Sequence, residues 1–96
     1  MNAIDNDMCM LACKDFDLPE STLYEQLHKL LQERIVYMLK NDLPGLWNIL
    51  YRIDVNERKL KLLFQLPDPI IIAPGITDLV LMRLREKAET RIKYRQ

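Results

Sequence analysis

Glycine is nearly missing from this chain, with 2 in 96 residues, and Gly45 and Gly75 lie too far apart to build a phosphate-cradling loop. Histidine occurs once and cysteine twice. With His28, Cys9 and Cys13 as its only soft donors, the chain cannot by itself supply the four ligands of a structural zinc site without a carboxylate or a second subunit. No apolar run approaches the roughly 18 to 20 residues that span a bilayer, so no transmembrane helix is expected. The dozen residues before Cys13 contain two Asp and no basic residue, unlike the basic and apolar leader of a secreted protein or lipoprotein. Two cysteines without such a leader point to reduced thiols in a cytoplasm.

Net charge is also missing, but only in total: 14 Lys+Arg cancel 14 Asp+Glu. Asp5, Asp7, Asp15, Asp17 and Glu20 against Lys14 leave residues 1–20 at −4, and Arg83, Arg85, Lys87, Arg91, Lys93 and Arg95 against Glu86 and Glu89 leave 83–96 at +4. Such asymmetry predicts an acidic arm over 1–16, docked by its Met8 to Cys13 patch, and a basic helix at the other end. The two either meet each other or each meet a partner. At 49% apolar residues the rest, 17–96, reads as one helical domain.

The clearest periodicity is Leu23, Leu27, Leu30, Leu31, Ile35, Met38 and Leu39, one face of an amphipathic helix. The capping spacings Asp17 to Glu20 and Thr22 to Glu25 place its start near Leu18, and its end falls near Asn41. Asp42-Leu43-Pro44 opens a second helix to about Ile53, with Pro in the first turn where its missing N–H has no partner anyway. Asp54 and Glu57 open a third through Phe64. Ile49, Tyr51, Ile53 and Val55 also alternate, as do Leu60, Leu62, Phe64 and Leu66, so a β-hairpin over 49–66 within an α+β fold is the alternative. Helices are preferred because Leu, Lys, Arg and Glu dominate 57–65 and the turn contains no Gly. Pro67, Pro69 and Pro74 then make Ile70-Ile71-Ile72 an extended strap, and Thr77 caps a last helix with Leu81, Leu84, Ala88 and Ile92 on its apolar stripe. The fold class expected is an all-α bundle of three to four helices.

The stretch Asn48-Ile49-Leu50-Tyr51-Arg52-Ile53-Asp54-Val55, followed by Lys59-Leu60, Asp78-Leu79 and Glu89-Thr90-Arg91, resembles a group of short bacterial helical proteins. The resemblance covers roughly residues 20–95. It implies a helical reading of 57–65 and brings no assigned activity or cofactor.

No catalytic constellation is legible. His28 with Glu25 lacks a marked pocket or positioned third group, and reads as a boundary residue. Cys9 and Cys13 stand one helical turn apart, too far for an unstrained disulfide, and read as small apolar residues of the Met8 to Cys13 patch. Two surfaces remain as candidates. Trp47, Tyr51, Ile70, Ile71 and Ile72 are more apolar surface than so small a core readily covers, and predict a homodimer that acts by contact rather than catalysis. Arg83, Lys87, Arg91 and Arg95 rise one turn apart beside Tyr94, and offer the alternative of a nucleic-acid contact.

Overall fold

The computed structural model describes residues 2–95, the side chain of Arg95 excepted. Five helices follow in order: α1 (Ala3–Phe16), α2 (Tyr24–Asn41), α3 (Leu43–Ile53), α4 (Glu57–Leu63) and α5 (Pro69–Arg95). The protein is all-α, with no strand among the described residues.

Of the leucine stripe, Leu27, Leu31, Ile35 and Met38 of α2 are buried and Leu30 and Leu39 partly so, whereas Leu23, just before the helix, is 52% exposed. The start of α2 is later than Leu18, however. Thr22 does not cap the helix; its N–H and hydroxyl both donate to the Pro19 carbonyl, at 3.0 and 2.6 Å, and close a turn. Leu23 is extended, and Gln26 Oε1 reaches back to accept its N–H at 3.2 Å. The same Asp-Leu-Pro tripeptide opens α3 as read, since the Asp42 carboxylate accepts from Gly45 N at 3.0 Å.

The hairpin alternative at 49–66 is excluded by the turn at its centre. Asp54 sits at φ 64°, and its N–H returns to the carbonyls of Leu50 and Tyr51, which ends α3 in a left-handed cap. Asn56, rather than Asp54, then caps α4 by accepting from Lys59 N at 2.9 Å. Alternation fails with it: Ile53 is buried while Tyr51 is 88% exposed.

Residues 3–16 form a core helix rather than an arm. Asn2 Oδ1 accepts from Asp5 N at 2.8 Å to start α1, and Asp17 at φ 56° ends it. Met8, Ala12 and Phe16, four apart, are buried with Cys9 against α2 and α5.

The Ile70-Ile71-Ile72 strap is the other correction. Asp68 caps α5, its carboxylate accepting from Ile70 N at 2.8 Å and its carbonyl from Ile71 and Ile72 N at 2.9 Å, so Pro69 starts a helix rather than breaking one. Pro74 lies inside α5 and deprives only the carbonyl of Ile70, in the exposed first turn where water can replace the lost donor. Thr77 is no cap: it is fully buried and donates its hydroxyl to the Ala73 carbonyl at 2.8 Å. Gly75 is helical without positive φ, and serves by its missing side chain. A Cβ there would lie 3.0 Å from Cδ1 and 3.2 Å from Cγ of Leu63, and nearer still to Cδ2.

α5 touches all four other helices and carries the spine of the core, Ala73, Ile76, Val80, Leu84 and Ala88. The molecule measures 44 × 27 × 19 Å and exposes 6352 Å². A monomer of 11.4 kDa ordinarily exposes about 5,800 Å², so the flattened shape leaves an excess of about 600 Å².

Candidate functional site

Arg83 and Arg91 of the basic face of α5, with the neighbouring Arg85, are engaged from within. Arg83 donates Nε to the Ile53 carbonyl at 2.9 Å, and its other nitrogens lie 3.2 Å from Glu86 and 3.9 Å from Asp54. Ile53 ends α3, so this guanidinium also sits at the negative end of a helix dipole. Arg91 approaches Asp7 at 3.8 Å, and Arg85 approaches Asp5 at 3.7 Å while donating to the Tyr24 hydroxyl at 3.2 Å. Asp15 meets Arg52 at 3.6 Å. The acidic and basic ends of the sequence therefore meet within one chain, a pairing the charge arithmetic raised without deciding. Lys87 is half-buried with no ion pair among the described residues, and Tyr94 projects into solvent. The side chain of Arg95 lies outside the described residues.

The candidate interface residues divide. Ile72 belongs to the core at 7% exposure, whereas Ile70 and Ile71 are 62% and 54% exposed. Trp47 stacks on Phe64, with ring centroids 4.8 Å apart and planes 22° from parallel, and keeps its outer part in solvent beside the more exposed Tyr51. Leu43, Leu62 and Leu66 are also exposed and add to the surface of α3, α4 and the approach to α5. Sequence periodicity did not single these three out, because a leucine on an amphipathic helix reads as core by default.

The titratable residues do not converge. His28 Nε2 lies 3.5 Å from Asp78 Oδ1, and both side chains are mostly in water. Cys9 and Cys13 lie elsewhere, in a groove of about 820 Å³ between α1 and the 17–23 turn. Cys9 is buried, and Cys13 donates its thiol to the Pro19 carbonyl at 3.4 Å. Burial pushes the Cys9 thiol above its ordinary value, helped by Cys13, Asp5 and Glu25. No group of three or more His, Cys, Asp or Glu is placed to hold a metal ion among the described residues. No described helix is long and apolar enough to cross a membrane.

Comparison with family models, with curated proteins and with solved structures finds none that matches the chain.

Proposed function

We propose that this is a non-enzymatic interaction protein of a reducing cytoplasm, acting as a homodimer through the exposed apolar face of α3, α4 and the first turn of α5. The observation that supports it most is the set of large apolar side chains left in water at Trp47, Tyr51, Ile70 and Ile71. A second copy can cover them with the same residues about a two-fold axis. Nucleic acid is the weaker reading, because Arg83 and Arg91 already have carboxylate partners and would have to exchange them for phosphate.

Sedimentation equilibrium tests the dimer. The wild-type chain should self-associate at tens of micromolar, and Ile70→Glu with Ile71→Glu should yield a folded monomer, its helicity confirmed by circular dichroism. A wild-type monomer at high micromolar concentration refutes the proposal.

A further inference from the structure

Cys9, Met10 and Cys13 occupy positions i, i+1 and i+4 of α1, so Cys9 and Met10 both sit one turn before Cys13. All three line the groove between α1 and the 17–23 turn. We infer that these three sulfurs form a binding site for a soft monovalent cation of the cuprous type, with the two thiolates as principal ligands and the Met10 thioether at the mouth.

Three observations converge on this assignment. The first is spacing. Cβ atoms one helical turn apart lie about 5–6 Å from each other, beyond the roughly 3.5–4.5 Å of a disulfide. Two metal–thiolate bonds of about 2.3 Å allow sulfurs up to about 4.6 Å apart, a span compatible with side chains one helical turn apart. The second is donor chemistry. Zinc wants four ligands, and no group of three or more His, Cys, Asp or Glu is assembled among the described residues; soft thiolate and thioether donors instead select Cu(I), which is content with two or three. The third is charge. Asp17 and Glu20 line the same groove and draw a cation toward it, and Lys14, also lining it, offsets the negative charge of a bis-thiolate complex.

Binding exchanges protons for metal. One Cu(I) displaces one proton from each thiol and forms two Cu–S bonds, with no change of oxidation state. Because each thiol must lose its proton to bind, affinity should climb with pH. Cys13 gives up its bond to the Pro19 carbonyl in the exchange.

The test is an anaerobic titration of the reduced full chain with Cu(I) against bicinchoninate, with X-ray absorption to read the ligand shell. A 1:1 complex with a sulfur-only shell is expected. Cys9→Ala and Cys13→Ala should each weaken it by more than the roughly 10–100-fold that follows loss of an outer-shell partner, and Met10→Leu by less. No 1:1 complex, wild-type affinity in the cysteine variants, or nitrogen and oxygen in the shell overturns the assignment, as does equally tight binding of Zn(II). Should Cys9→Ala fail to fold, the half-exposed Cys13 decides alone.

Discussion

Gly75 is the notch in α5 into which Leu63 of α4 fits, and a double-mutant cycle can measure it. Gly75→Ala brings two opposed effects. Replacing Gly by Ala inside a helix gains about 1 kcal/mol. Against that, the new Cβ would lie 3.0 to 3.2 Å from Cδ1 and Cγ of Leu63, and closer to Cδ2. Because Cγ is among the crowded atoms, turning the isopropyl end alone does not relieve the contact; the whole Leu63 side chain must move or α4 shift, which costs about 1–3 kcal/mol. The single variant should therefore range from neutral to about 2 kcal/mol less stable. In a Leu63→Ala background the notch is empty and only the helix gain remains, so adding Gly75→Ala should stabilise by about 1 kcal/mol, or about 4–8 °C in Tm. The coupling between the sites is then about 1–3 kcal/mol, well above the few tenths expected of independent positions. Urea unfolding of the four proteins measures it. Equal stabilisation by Gly75→Ala in both backgrounds would refute the close approach of α4 to α5.

Arg83→Ala removes the donor to the Ile53 carbonyl and a cation from the end of α3, and should cost about 1–2 kcal/mol in urea unfolding, the partial exposure of the guanidinium having reduced the full value of a charged hydrogen bond. Arg83→Lys, which keeps charge but not the guanidinium fork, should recover less than half; unchanged stability in the alanine variant would show the contact to be idle. Cys9 governs a pH effect. Its folded pKa is raised above the unfolded one, so its contribution is complete below the unfolded value near 9.0 and is lost as pH rises through the folded value. Wild-type stability should therefore fall more steeply than that of Cys9→Ala between pH 8 and 10, and identical slopes would contradict the burial of the thiol.

The sequence made α2, α3 and α4 legible because each carries its own start signal or stripe; the caps of α2 and α4 shifted, and α2 starts at Tyr24, six residues after Leu18. Asp-Leu-Pro shows why caps are hard to assign. At Asp42 the carboxylate starts α3, while at Asp17 the first residue of the same tripeptide is itself the left-handed residue that finishes α1, a difference set by what precedes it. The Met8, Ala12 and Phe16 stripe was present in the sequence but masked by the acidic residues around it. Pro69 follows the same first-turn rule as Pro44, obscured in the sequence by Pro67 and Pro74 beside it. As for the candidate sites, the charge asymmetry raised an acidic-to-basic contact as one alternative without naming pairs, since pairing of Asp5 with Arg85 and Asp7 with Arg91 depends on how α1 lies on α5. Exposure of Leu43, Leu62 and Leu66 has no local signature at all.

The packing of α1 on α5 also sets a timetable for synthesis. Residues 17–68 separate the two helices, and at about 5–20 residues per second they take roughly 3 to 10 s to translate. Through that interval Met8, Ala12 and Phe16 have α2 to lie on but lack their other cover, and the spine of the core does not yet exist. The nascent chain thus carries an unfinished apolar face for seconds before α5 arrives. A ribosome stalled before Pro69 would hold it in that state, a substrate for chaperones and proteases that the finished protein never offers.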